Sequence, residues 1–433
     1  MRYRFLLINP WIYDFAAYNL WSRPLGLIKV AEYLSSFDVS LTFVDCTDAY
    51  KPSKYGTGKF MKEIVEKPDI LKPVPRFYKR YGITTDDFIE RVKAEMPYDL
   101  ILITSIMSYW YPGVQKVIEI LRDLFRYNPI ILGGIYATLY TEHASENAGA
   151  DAIHIGELNR GFNMLLSTFG FRLKKRRAPV PYYRMGLYDP LQFAPLLTST
   201  GCPYRCSYCA SGLLNKNFVR RSIDDILKEI IDLYGLGVKD LAFYDDALLV
   251  GAEEHIKPLL RELIRRGINL NLHTPNGLHA RLIDEELAML MKKANFKTLR
   301  LSLETVNPVR QQESGGKVNN EELRRAVLNL KKAGFTKNEI GVYLMYGLPG
   351  QTEEEVIEGI EFLKGLGVRI NLTEFSPIRG TRIWDELVRN GIIKDDIDPL
   401  LTNNSLFPIL FSGLDHEVIQ RMKTEVNMYN IIP

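Results

Sequence analysis

Short, wholly apolar runs, each followed by a helical pattern, constrain this chain more than any other feature. Residues 4–10 read RFLLINP, 40–46 SLTFVDC, 99–105 DLILITS, and 129–134 PIILGG. DAIHIGE at 151–157 closes the series. Strands without polar alternation are buried on both faces, as in parallel sheets covered by helices. Between them lie amphipathic segments such as GLIKVAEYLSS and GVQKVIEILRDLF. Strand–helix alternation of this kind predicts a parallel α/β sheet with right-handed crossovers.

The cadence breaks between about 51 and 97, a charged and aromatic stretch too long for a plain loop in a compact domain. We read it as an insertion covering the ligand edge of the sheet. A Pro- and Tyr-rich stretch, KKRRAPVPYYRMGLYDP, then reads as a linker. A second βα series follows, with strands expected at 195–200, 239–244, 268–273, 297–303, 340–346 and 369–375. Six such units predict a partial barrel rather than the eight of a closed one. The expected organisation is a Rossmann-like domain over 1–170, a linker over 171–189, a partial (βα)6 barrel over 190–380 and a short helical extension over 381–433.

Composition excludes little but helps. The 433 residues carry 55 Lys and Arg against 52 Asp and Glu, a net charge of +3 that gives no argument for a nucleic-acid partner. No run approaches the roughly 18 apolar residues of a membrane span, and the N-terminal MRYRFLLINP lacks the pattern of a signal peptide. The expected location is the cytoplasm. There are four cysteines, and three of them, Cys202, Cys206 and Cys209, fall within eight residues. That is not a disulfide framework. Structural zinc takes four protein ligands, and four-iron clusters usually take four thiolates. Three thiolates leave an open coordination position, which a catalytic centre needs. The triplet follows the first strand of the second series, at the end where barrel chemistry sits.

Cys-x3-Cys-x2-Cys in that context, with Tyr208 before the last Cys, resembles the radical S-adenosylmethionine (SAM) superfamily. The resemblance spans about 190–380. It implies that Cys202, Cys206 and Cys209 hold a [4Fe–4S] cluster, that SAM chelates the fourth iron, and that reductive cleavage yields a 5′-deoxyadenosyl radical. It implies an electron donor such as flavodoxin or ferredoxin. Tyr208 is then expected against the adenine. FYDDALLV places Asp245 or Asp246 where a polar group takes the SAM amine, although the more usual Gly-Gly-Glu is absent. LRLSLET matches Ser-x-Glu at Ser302 and Glu304, which reaches the ribose hydroxyls. YLMYGLPGQTEEE and TEFSPIRGT resemble the fifth- and sixth-strand ends of the branch with methylthiotransferases and cobalamin enzymes, bringing Gly347, Ser376 and Pro377 to SAM. HTPNGLHARLIDEEL adds Asn276 and Arg281, while His273 and His279 read as structural.

The first domain resembles the cobalamin-binding domain that precedes many such barrels. TSIM places Ser105 in the Ser-x-Leu element, LGGIYAT supplies Gly133 and Gly134, and Gly156-Glu157 matches the Gly-Glu that ends the domain. The Asp-x-His-x-x-Gly loop that gives a lower axial histidine is replaced by VDCTDAYKP, so no histidine ligand comes from it. His143 and His154 are not expected on cobalt, and Cys46 is expected to be a buried inert thiol. Tyr109, Trp110 and Tyr111 could face a cofactor or an apolar substrate. If cobalamin is bound, the resemblance implies C-methylation of a small-molecule or peptide substrate. If the domain is a vestigial cap, it implies a cobalamin-independent cyclisation or rearrangement. A methylthiotransferase requires a second cysteine triplet that the single Cys46 cannot make. A non-enzymatic iron–sulfur or zinc protein has no need of the SAM-directed residues.

Overall fold

A computed structural model describes residues 2–175, 178–181 and 186–432. It divides into two compact units, Met1–Pro190 with Ile397–Leu401, and Leu191–Asp396 with Thr402–Pro433.

The first unit is built on β1 (Tyr3–Asn9), β2 (Val39–Asp45), β3 (Leu100–Ile103), β4 (Ile130–Leu132) and β5 (Ala152–Ile153). Their spatial order is β5-β4-β3-β1-β2, all parallel. Phe5, Leu6, Leu7 and Ile8 have no exposed surface, which is why the strand carries no polar alternation. The direction of winding reverses between β1 and β3, so a crevice is expected at their C-terminal ends.

That crevice is almost filled. Its volume is about 10 Å³, between Trp11, Ile12, Ser105 and Trp110. Trp11 donates to the Ile83 carbonyl at 2.8 Å and Trp110 to Asp14 Oδ2 at 2.7 Å. The stretch between 51 and 97 is an ordered structure rather than a loop. Gly58–Phe60 pairs with both Tyr50–Pro52 and Tyr18–Asn19, and Lys79–Tyr81 pairs with both Lys62–Ile64 and Ile12–Asp14. Helix Thr85–Ala94 completes it, capped by Thr84 and Asp87 in a reciprocal box. Because residues 12–19 directly follow β1, this substructure rests on the C-terminal side of the sheet.

The residues read as a linker run over the same unit where they are described. Asp38 N donates to the Lys174 carbonyl, Val180 N to Ser35 Oγ, and Tyr188 is buried. Residues 176–177 and 182–185 of that stretch lie outside the described residues.

The second unit holds β6 (Phe193–Leu196), β7 (Asp240–Phe243), β8 (Asn271–His273), β9 (Phe296–Glu304), β10 (Ile340–Tyr346) and β11 (Arg369–Glu374). They form one parallel sheet in sequence order, β6 through β11. The strand pattern of the sequence is thus present, six units and not eight. Helix Asn320–Lys332 starts at a capping box of Asn319 and Glu322, and Gly334 follows its end at φ +93°. The C-terminal residues from Thr402 onward belong to this unit and end in helix His416–Ile431.

Candidate active site

The cysteine loop leaves β6 and is held by its neighbours on several sides. Ser207 N donates to the Ser314 carbonyl and Ile383 N to the Ser207 carbonyl, both at 3.0 Å. A Cβ on Gly315 would stand 3.1 Å from Cys206 Cα, so only glycine lets this turn approach so closely. The Tyr204 ring, between the first two cysteines, lies 4.6 Å from the His279 ring and 4.7 Å from the Arg281 guanidinium.

Cys202 and Cys206 are half-buried, and Cys209 is exposed as a residue. Burial pushes all three thiols up, and Lys317 pulls each of them back down. Lys317 is the residue that sequence reasoning missed. Its Nζ donates to Ser302 Oγ at 2.7 Å and lies 4.0 Å from Glu304 Oε1. The available signal was Gly315-Gly316 immediately before it, a turn with φ +119° and +59° that swings the lysine back toward the strand ends. Among the described residues no three His, Cys, Asp or Glu side chains are gathered around a point that would hold a single metal ion. A four-iron cluster distributes its thiolates over separate irons, so three cysteines on one loop beside a cation suit it as a donor set.

The two aspartates after β7 have different surroundings. Asp245 is buried, and its carboxylate accepts from the main chain and hydroxyls of Thr198 and Ser199 at 2.6–3.1 Å. It ties β7 to the strand that feeds the cysteine loop. Asp246 accepts from Ser211 Oγ at 2.6 Å, and its charge acts on Cys202 and Cys209. Burial raises its carboxyl, while Ser211 and Lys317 oppose that.

Glu304 sits on a bulge of β9 at φ +69°, a conformation rare outside glycine. Its side chain hydrogen-bonds Tyr208, whose hydroxyl is pushed well up by burial and by that carboxylate. Tyr208 and Glu304 face a cleft of about 640 Å³, walled also by Arg310, Leu348, Pro349 and Ile383. Asn276 donates to the Tyr244 carbonyl at 2.7 Å and Arg281 to the Gly316 carbonyl at 3.2 Å, so both brace the loops around the site.

Two further expectations meet the C-terminal segment. Ser376 Oγ donates to the Thr402 carbonyl at 2.6 Å, and a Cβ on Gly347 would stand 2.7 Å from Pro408. Pro377 is buried beside them. Residues 402–411 therefore approach the ends of β10 and β11 closely, and the bare Gly347 main chain accommodates Pro408.

In the first unit, Gly134 has φ +93°, and a Cβ there would stand 2.5 Å from the Ser105 carbonyl oxygen. The Ser105 main chain leaves no room for a side chain there. Ser105 Oγ donates to the Met107 carbonyl. Gly133 differs, because its nearest neighbour would be His154 O at 3.7 Å. Gly156 meets nothing within 4 Å, and Glu157 is exposed. Gly133, Gly156 and Glu157 thus lie at the ends of β4 and β5 without close side-chain neighbours at the two glycines. Asn9, Thr47 and Tyr188 all donate to Asp45, and Arg23 lies 3.8 Å over the Tyr188 ring. This buried network occupies the loop where the axial histidine is missing. Cys46 is buried, with its thiol pushed well up. Tyr109 is buried, and Tyr111 stacks on Tyr136 and donates to Asp398. His143 bonds the Tyr136 hydroxyl and His154 the Glu157 carbonyl.

Six parallel strands with a three-cysteine loop after the first define a radical SAM domain, and residues 196–363 match the family model of the radical SAM superfamily. The second unit therefore carries a domain similar to those of the radical SAM enzymes. Over 346 residues the chain is 27% identical to an uncharacterized methyltransferase of Pyrococcus horikoshii, covering 72% of this chain and 74% of that protein. Its fold is similar to that of TsrM, a radical SAM methyltransferase of Kitasatospora setae solved with cobalamin and a [4Fe–4S] cluster bound. The TM-score is 0.64 at 18% identity, over 90% of this chain and 78% of that one. It is also similar to OxsB, a cobalamin-dependent SAM radical enzyme, with a TM-score of 0.56 at 12% identity over 97% of this chain and 56% of that one.

Proposed function

We propose that this enzyme methylates an unactivated carbon of a small molecule or peptide, using a [4Fe–4S] cluster, SAM and cobalamin. The fold likeness to TsrM through both units carries the reading, supported by the methyltransferase of Pyrococcus horikoshii. When bound, the cluster supplies the electron that cleaves SAM, and cobalamin supplies the methyl carrier. Cys202, Cys206 and Cys209 hold the cluster. Asp246 takes the SAM amine, Lys317 its carboxylate and Glu304 the ribose hydroxyls, with Tyr208 alongside. Ser302 holds Lys317 in place, while Asn276 and Arg281 brace the loops that carry these groups. In the first unit, Gly133 and Glu157 border the cobalamin. We read the enzyme as cytoplasmic and supplied with electrons by flavodoxin or ferredoxin. Among the described residues no helix is long and apolar enough to cross a membrane.

A second reading is favoured by one observation, the crevice of about 10 Å³ beside Trp11. It makes the first unit a cap and the reaction a cobalamin-independent cyclisation or rearrangement.

The test is anaerobic reconstitution with iron, sulfide and hydroxocobalamin, followed by desalting, metal analysis and assay of SAM cleavage. Stoichiometric cobalt supports methyl transfer. Intact cluster and SAM cleavage without cobalt overturn it in favour of the cap.

A further inference from the structure

The substructure at 51–81 has a charge unlike the rest of the chain. It carries seven Lys and two Arg against two Glu and one Asp, while the whole chain nets only +3. Some of this charge is neutralised locally. Arg80 pairs with Glu63, and Lys72 with Asp69. Among the described residues Lys51, Lys59 and Lys62 make no ion pair. Lys51 and Lys59 stand directly opposite each other across one ladder, with Tyr18 opposite Lys59 on its other side. Like charges placed so repel and destabilise the pair. All three side chains are exposed, whereas Phe60 and Gly58 on the same strand are buried. One face of this small sheet is thus apolar and inward, and the other cationic and outward.

The same chain segment exposes large apolar side chains. Lys59 leads through Met61 and Lys62 into Ile64, which is 61% exposed, and Phe77 is 68% exposed. Ile64 pairs with Lys79, and the Val65 N–Tyr78 O bond continues that ladder, so Ile64 and Phe77 are diagonal neighbours on one face. Tyr18 is 60% exposed. Single exposed apolar residues need no explanation, but several bulky apolar and aromatic side chains exposed in one small cationic substructure do.

We propose that this substructure docks on an anionic lipid surface. Lysines supply attraction to acidic headgroups, and Ile64, Phe77, Met61 and Tyr18 enter the headgroup boundary. A nucleic acid would use the lysines but leave Ile64 and Met61 idle. An acidic protein surface would need acidic residues arranged opposite the Lys51–Lys59 pair. Docking of this kind is peripheral and requires no spanning helix. It is also independent of which reaction the enzyme performs.

The experiment is co-sedimentation of the full chain, with its cluster assembled, on vesicles. One set is phosphatidylcholine, and the other contains phosphatidylglycerol. Sedimentation with the anionic set alone, released by salt, is expected. Lys59→Glu/Lys62→Glu and Ile64→Ser/Phe77→Ser should each weaken it by about tenfold or more, with circular dichroism and cluster absorbance unchanged. No binding to anionic vesicles, equal binding to both sets, or charge-reversed protein that binds as the parent does would each overturn the proposal. So would retention on an acidic electron-donor protein with none on vesicles.

Discussion

Lys317 Nζ donates to Ser302 Oγ at 2.7 Å, which fixes a cation beside three thiols and two carboxylates. A charge-assisted hydrogen bond to a ligand carboxylate contributes about 1.5–3 kcal/mol. Lys317→Gln should therefore weaken SAM binding roughly ten- to hundredfold. Isothermal titration of SAM onto the reconstituted enzyme checks it. An unchanged affinity would remove Lys317 from the SAM site.

The two adjacent glycines of the first unit should behave differently. Gly134→Ala puts a Cβ against the Ser105 main chain at positive φ and should cost about 1–3 kcal/mol in urea unfolding. Gly133→Ala has room and should leave stability nearly unchanged. If the ends of β4 and β5 take cobalamin, Gly133→Ala loses cobalt while keeping its fold. Equal stability losses at both positions would contradict this account.

Tyr188 donates to Asp45 at 2.8 Å inside a buried network. Tyr188→Phe leaves a buried carboxylate short of one donor, at a cost of about 1.5–3 kcal/mol. Asp45→Asn in the same background should cost less than it does alone, because the two changes share one bond. Additive losses in that double-mutant cycle would show that the bond contributes nothing.

His279 is buried, and burial first, then Lys317 and Arg281, push its imidazole down to about 3. Between that value and its ordinary 6.5, the unfolded chain binds a proton that the folded chain does not. Stability of the cluster-free protein should then rise with pH across this window and level off above it. His279→Gln should flatten the slope. Parallel urea-midpoint profiles for the two proteins would refute the assignment.

The sheet strands were legible because strands covered on both faces need unbroken apolar runs, as residues 5–8 show. The cysteine loop was legible because thiolates at that spacing have few other uses. The stretch at 51–81 was not, since its strands are three residues long and two of them pair with residues at 12–19, far back in the chain. Local pattern cannot announce a partner so far away. Asp245 and Asp246 were indistinguishable in sequence, because what separates them is the ring of Thr198 and Ser199 donors around one of them. Lys317 stood on no periodic element, and its position follows from a turn.

The contact between Gly315 and Cys206 links two places more than a hundred residues apart. A side chain at 315 would be felt first by the cysteine loop. Evolution can then change one only in step with the other. Among relatives of this chain, those with a bulkier residue at this turn should also carry a reshaped or lengthened spacing between their first two cysteines, and the two changes should be inherited together.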